Sequence, residues 1–377
     1  MTVRSDVTVV GAGVVGCAVA LALARRGASV CLLEAESAPG LAASGTNSGI
    51  LHTGFDSVPG ELETELILRS AALRDPVLEA FDLPIVRCGA MLRPRNDDER
   101  AAVRELAANA AGNGVRVALQ GDGTLSVPGE AIGDPVAYTD ALAAAAKRHG
   151  AELHTSVRVM GMRHEGEHFR VEGKDGTEVR SRVVVNCAGL YADEVARLAG
   201  DESFEIYPRK GEFLVFDPPG EPVEEIRLPV PSKRTKGVLV FPTVDGKVVA
   251  GPTAVDGDDK SDWSVRPEAR DEIVPKAAEL LPELEGAEPI AAYAGLRPAG
   301  RGVNYLIGAS PDCPGLVNVA AIRSTGVTAS LGIAEHVTGI VGEHGVELGP
   351  EAPLEAAQAP PSEGPWWRRA AEYRGAS

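Results

Sequence analysis

A glycine turn near the amino end constrains this chain more than any other feature. Gly11-Ala-Gly13-Val-Val-Gly16 follows directly on the β-branched run Asp6–Val10 and precedes Cys17–Arg26, which is apolar nearly all round. That pattern predicts a strand, a tight turn and a helix buried between layers. Gly27 stands where a left-handed helix cap is preferred. Ser29–Leu33 predicts a second strand, and Glu34 follows it at close to the spacing of a carboxylate that binds ribose hydroxyls. In such a βαβ unit Gly11 permits the turn, Gly13 lets a pyrophosphate approach the backbone, and Gly16 lets helix and strand pack closely. The helix amino end then faces the phosphates. The motif specifies a dinucleotide without distinguishing FAD from NAD.

Composition narrows the partners. The 377 residues include 37 Lys and Arg against 54 Asp and Glu, a formal charge of −17. A field of that sign disfavours nucleic acid and anionic membrane surfaces, so an anionic substrate needs a local basic pocket. The five cysteines, Cys17, Cys31, Cys88, Cys187 and Cys313, show no CxxC spacing, so no metal site is expected. No apolar stretch approaches the roughly 20 residues of a membrane span. Ordered-looking sequence begins by Asp6 without a cleavable signal, which makes the cytoplasm the expected compartment.

The segment after the second strand decides for FAD. Leu41–Gly54 reads LAASGTNSGILHTG, a long loop of small polar residues where a nicotinamide-type half would continue into a helix and a third strand. Within it, Ser44-Gly-Thr-Asn-Ser-Gly-Ile-Leu-His52-Thr-Gly54 resembles the D-amino-acid-oxidase-like superfamily of FAD enzymes. It is closest to the branch of flavin-dependent glycerol-3-phosphate dehydrogenases and L-2-hydroxyglutarate oxidases. Pro59-Gly-Glu-Leu62, Val183–Asp193, Pro208–Phe213, Thr243–Gly246, Gly251–Thr253, Ala294–Pro298 and Gly315–Val337 agree with that branch. The resemblance covers about residues 5 to 340. Larger members of the branch carry a cysteine-rich iron–sulfur domain at the carboxyl end, which this sequence does not contain. Oxygen, a quinone and a carrier protein therefore all remain candidate electron acceptors, and the quinone case leaves room for membrane contact.

The resemblance implies an α/β fold, with a Rossmann-like FAD-binding domain of the glutathione-reductase type and an inserted α+β substrate domain built on an antiparallel sheet. The FAD-binding domain is expected at residues 1–84, 134–203 and 290–345, and the substrate domain at 85–133 and 204–289. Residues 346–377 read as a tail, except that Trp366-Trp367 is expected to dock on the body or on a partner. Asp134-Pro135 predicts a helix start and Gly150 its stop. A small β-meander is expected after it.

The cofactor contacts implied are Gly11, Gly13, Gly16, Glu34, Ser44, Asn47, Ser48, Gly49, Val157, Ala188, Gly189, Gly326, Val327 and Thr328. A helix beginning near Thr328 would aim its amides at the flavin. Three residues are candidates for the chemistry. His52 lies in the flavin loop, and imidazole, ordinarily titrating near neutrality, suits a general base. The same histidine could instead be a covalent flavin attachment point, as in related amine-oxidising branches, or only a hydrogen-bond partner of the cofactor. Arg297 offers a planar fork of donors to a carboxylate or phosphate. Lys210 is the strongest of a set of supporting cations that includes Arg209, Lys233, Arg234 and Lys236. The leading expectation is an FAD enzyme oxidising a secondary alcohol that bears an anionic group, by hydride transfer to flavin N5. An amine or amino-acid oxidase on the same Arg297 anchor is the alternative. A non-catalytic dinucleotide-binding module belongs to a different class, and His52 and Arg297 fit it poorly.

Overall fold

The glycine turn sits at the centre of a six-stranded sheet. The structure is a computed structural model that describes residues 2–231, 237–356 and 364–373. The sheet runs in the order Glu152–His154, Val30–Leu33, Val7–Val10, Val183–Asn186, Leu316–Ala320 and Leu306–Ala309. The first five are mutually parallel and the last is antiparallel. Its strands are apolar on both faces because both faces are covered. Val7, Val9, Val30, Leu32, Val183 and Val185 pack into one cluster with the helices Val14–Ala24 and Gly326–Glu343. The alternate residues Val10, Cys31, Leu33 and Val184 pack against a four-stranded meander that includes Phe169, Val171 and Val179.

Local chemistry explains the helix ends. Asp134 caps the helix Pro135–Arg148, its Oδ1 accepting from the amides of Val136 and Ala137 at 2.8 and 2.9 Å. Proline occupies the first helical position, where its missing N–H leaves no bond unmade. Gly150 follows at φ +96°, in the left-handed region. Near the amino end a Cβ on Gly16 would lie 1.9 Å from the Gly11 carbonyl oxygen, so only glycine lets the first helix close on the turn.

A second, nine-stranded sheet is built around the long strand Ile206–Phe216. It is antiparallel except where Ile226–Leu228 runs parallel to Ala90–Leu92. The strand Ala291–Gly300 pairs with Ile206–Phe216 along its length, from Ile206 opposite Gly300 to Val215 opposite Ala291. Sequence reading places Ala291–Gly300 with the FAD-binding part; its hydrogen bonds put it in this second sheet. A three-stranded sheet of Ile50–Leu51, Ala131–Gly133 and Ile85–Val86 carries the chain across.

The stretch expected as a tail lies along the body. Arg25 donates to the Ala352 carbonyl at 2.7 and 2.9 Å, and the amides of Gly349 and Ala352 donate back to the carbonyls of Arg26 and Arg25. The helix Trp366–Tyr373 then docks on the second sheet, with Trp366 fully buried edge-on to Tyr293. Trp367 donates to Asp245, and Arg369 pairs with Asp134. The docking target is therefore the chain's own core.

Candidate active site

A cavity of about 400 Å³ opens at the carboxyl ends of the parallel strands, where open α/β sheets bind ligands. Gly11, Gly13, Glu34, Ser44, Asn47, Val157, Ala188, Gly189, Gly326 and Val327 line it, as sequence reading expects. The Gly11 turn is forced: φ is +100°, and a Cβ there would lie 2.5 Å from the Cys187 carbonyl oxygen. Ser44 Oγ accepts the Val14 amide at 2.9 Å, which ties the small-residue loop to the first helix. Glu34 accepts from the amides of Ala12 and Glu36 at 2.6 and 2.8 Å and keeps acceptor capacity for a hydroxyl. Burial pushes its carboxyl above the ordinary value, against the pull of those amides. On the far wall Ala321 and Arg323 hold φ of +56° and +55°, left-handed backbone of a kind concentrated at ligand sites.

Four expected contacts are placed otherwise. Gly16 packs helix against turn. Ser48 Oγ accepts the Ile50 amide. Gly49, at φ +74°, abuts the Gly133 carbonyl. Thr328 is buried; its hydroxyl accepts from His52 N–H and donates to the Ile50 carbonyl, both at 3.1 Å. These residues shape the small-residue loop without lining the cavity. The helix expected near Thr328 begins at Gly326, so it is Gly326 and Val327 that reach the cavity.

The loop turns back through His52. Its Nδ1 lies 2.9 Å from Glu130 Oε2, and Glu130 has no solvent exposure. Glu130 Oε1 accepts from both the amide and the hydroxyl of Thr53, at 2.7 and 2.8 Å. Arg74, from the helix Leu62–Ala80, donates to the His52 carbonyl at 3.2 Å. Burial holds Arg74 below the usual guanidinium pKa, with Glu130 opposing that shift.

Across from this loop, Arg297 shares a sheet face with Gly295 and Tyr293, two and four residues before it on the strand. A Cβ on Gly295 would lie 2.9 Å from the Thr46 carbonyl, so that face packs directly on the small-residue loop 41–54. Arg297 spreads over Gly211, whose missing side chain makes the room. Its donors reach the carbonyls of Thr253 at 3.2 Å, Arg209 at 3.4 Å and Lys210 at 3.5 Å. Among the described residues no carboxylate pairs with it. Burial, with Arg209 adding to it, pushes its pKa down to about 10, so it stays a cation at neutral pH.

Lys210 is not part of this arrangement. It alternates with Arg209 and Gly211 on the strand and so projects to the opposite face, where its Nζ binds Asp262 at 2.7 Å and the Ser264 carbonyl at 2.9 Å. Arg209 pairs with Asp256 at 3.1 Å. Lys233, Arg234 and Lys236 lie outside the described residues.

Residues 6–340 match the family described as FAD dependent oxidoreductase, DAO. The chain belongs to that family. It is 31% identical over 354 residues to glycerol 3-phosphate dehydrogenase of Caloramator mitchellensis, covering 89% of this chain and 73% of that one. Against L-2-hydroxyglutarate dehydrogenase of Escherichia coli K12 it is 29% identical over 272 residues, 66% of this chain and 64% of the relative. Its structure matches the FAD-bound L-α-glycerophosphate oxidase of Mycoplasma pneumoniae with a TM-score of 0.86 and 25% identity, over 93% of this chain and 97% of that one.

The cavity residues fit FAD on their own geometry. A helix amino end whose cap position is the side-chain-free Gly13 suits the pyrophosphate, and Glu34 suits a ribose. The small residues Ala42, Ala43 and Ala188 leave the walls open. Sequence reading missed Glu130, Thr53 and Arg74. The available signal was slight: Glu130 is a lone acid between the apolar runs Leu125–Val127 and Ala131–Ile132.

Proposed function

We propose that this enzyme oxidises a secondary alcohol that carries an anionic group, of the glycerol 3-phosphate or 2-hydroxy-acid type. The observation that carries the reading is Arg297, a half-buried guanidinium with no carboxylate in ion-pair contact among the described residues, on a face packed against the small-residue loop. A permanent cation left with three long contacts to carbonyls is arranged to receive an anion from outside. The relatives named above act on such substrates and support the class.

FAD held by the cavity residues would supply the acceptor for the hydride of the substrate carbon. Arg297 holds the anionic group and fixes which C–H is presented. His52 accepts the hydroxyl proton, so the C–O bond becomes C=O as the hydride departs. The cavity contacts to FAD, and a division into a FAD-binding part at 1–84, 134–203 and 301–345 with the second sheet as substrate domain, belong to the same proposal. So does turnover in the cytoplasm, with oxygen, a quinone or a carrier protein restoring the oxidised cofactor. No helix among the described residues is long and apolar enough to cross a membrane.

Steady-state turnover tests the reading. Purified enzyme should convert glycerol 3-phosphate or L-2-hydroxyglutarate to the ketone with an artificial acceptor, and comparison of peroxide with quinone reduction identifies the native acceptor class. Release of ammonia from amino acids, with no ketone from either alcohol, would replace the alcohol reading by the amine one.

A further inference from the structure

Glu130 occupies an unusual position for a carboxylate. It is fully buried, and among the described residues its one ion-pair partner is His52. Both oxygens are committed: Oε1 to the Thr53 amide and hydroxyl, Oε2 to His52 Nδ1. The loop around it is shaped for this contact. A Cβ on Gly129 would lie 2.8 Å from Thr53 Cγ2, so glycine there lets the Glu130 turn close on residues 52–53. The turn is anchored from the other side by the Gly89 amide, which donates to the Glu130 carbonyl at 2.9 Å. His52 is held at its backbone too, through Thr328 and Arg74.

A buried charge is tolerated only when its lone pairs are filled. Here the filling donor on one side is the imidazole of the residue proposed to take the substrate proton. An ionised carboxylate only accepts, so the proton of a neutral His52 must sit on Nδ1. Nε2 is then the unprotonated nitrogen, carrying the ring's basic lone pair. The same contact also stabilises the imidazolium formed when that lone pair takes a proton.

We propose that Glu130 is the positioning residue of the site: it fixes neutral His52 in the Nδ1–H tautomer, which makes Nε2 the basic nitrogen of the ring. This rests on the reading of His52 as the acceptor of the hydroxyl proton. Glu130 touches neither cofactor nor substrate in this account; it acts through His52.

The test is the E130Q variant of the FAD-loaded enzyme, read in two independent ways. A glutamine amide can present either its oxygen or its NH2 to Nδ1, so it no longer dictates the tautomer. With glycerol 3-phosphate or L-2-hydroxyglutarate, whichever the wild type turns over, kcat should fall at least ~100-fold while KM moves less than about threefold. FAD content should remain that of wild type. In parallel, 15N spectra of histidine-labelled enzyme, assigned with H52N, should show neutral His52 protonated on Nδ1 in wild type and mixed or on Nε2 in the variant. Wild-type His52 found protonated on Nε2 would overturn the proposal, as would E130Q with at least half of wild-type kcat. The nitrogen signature does not depend on turnover. If H52N kept full activity, the acceptor reading would fail while the spectra still reported on Glu130. Should E130Q not fold, T53V loosens the same carboxylate from its other oxygen. A partial loss of kcat with a broadened His52 Nδ1–H signal is expected there, and an unchanged signal and kcat would count against the proposal.

Discussion

Replacing Arg297 by methionine keeps the aliphatic stem and removes only the charge and its donors. Two consequences follow from the geometry, and they point in opposite directions. Catalysis on an anionic substrate should suffer. The three carbonyl contacts lie at 3.2 to 3.5 Å and are long for hydrogen bonds, so a bound anion displaces them at little expense. Each charge-assisted bond is worth about 1.5–3 kcal/mol. Allowing for incomplete desolvation, the loss is about 2–4 kcal/mol, or roughly 30- to 1,000-fold in kcat/KM. Stability should not suffer. Burial pushes the Arg297 pKa from the ordinary guanidinium range down to about 10. For a base that depression means the charged form is disfavoured in the folded state at every pH below 10, by up to about 3 kcal/mol. Methionine relieves that penalty, so the thermal midpoint of R297M should equal or exceed that of wild type. The assay is kcat/KM for glycerol 3-phosphate beside that for glycerol, with melting curves of both proteins. R297K should recover only part of the lost activity. Equal losses on the charged and the neutral substrate, or a lowered melting midpoint, would show that Arg297 is a structural cation and refute the reasoning.

Three further outcomes are expected. E34Q should release FAD at least ~10-fold more readily than wild type while retaining fold by circular dichroism, measured as flavin in the filtrate after dilution; one charge-assisted bond to a ribose hydroxyl sets the scale. Asp140, whose carboxyl is pushed by burial to about 6, is more easily protonated folded than unfolded, so its contribution to stability is present below about pH 4 and lost as pH rises through 6. Urea midpoints of D140N should therefore match wild type at pH 4 and exceed it at pH 7, by at most about 3 kcal/mol in unfolding free energy. W366A removes a fully buried indole from between the carboxy-terminal helix and Tyr293 and should lower stability by about 3–5 kcal/mol, read from the same urea curves.

Much of the fold was legible because local signals and tertiary roles coincide. Asp134-Pro135 and Gly150 bracket a helix by chemistry confined to a few residues, and the Gly11–Gly16 turn admits one backbone path. Arg297 was singled out from its motif, and its fan of carbonyl contacts comes from strands that only the fold brings together. Lys210 was misplaced because strand alternation decides its face, and the partner that claims it, Asp262, is far off in sequence. The sheet that Ala291–Gly300 joins was hidden for a similar reason: its register with Ile206–Phe216 is a non-local pairing that no local pattern announces. Glu130 was invisible for the same cause, since the sequence offers only an isolated acid in a proline–glycine turn. The carboxy-terminal segment read as a tail by composition, yet Arg25 and Arg26 supply donors that hold its carbonyls, and Trp366 has a prepared apolar seat.

The central claim, that a C–H beside a hydroxyl and an anionic group is the hydride donor, is tested most directly by anaerobic reduction. The purified enzyme, carrying oxidised flavin, is mixed without oxygen with glycerol 3-phosphate, L-2-hydroxyglutarate, glycine or proline, and the absorbance near the flavin maximum is followed. The account predicts rapid, stoichiometric bleaching by one of the two anionic alcohols and none by the amines. Bleaching by glycine or proline, with both alcohols inert, would contradict it.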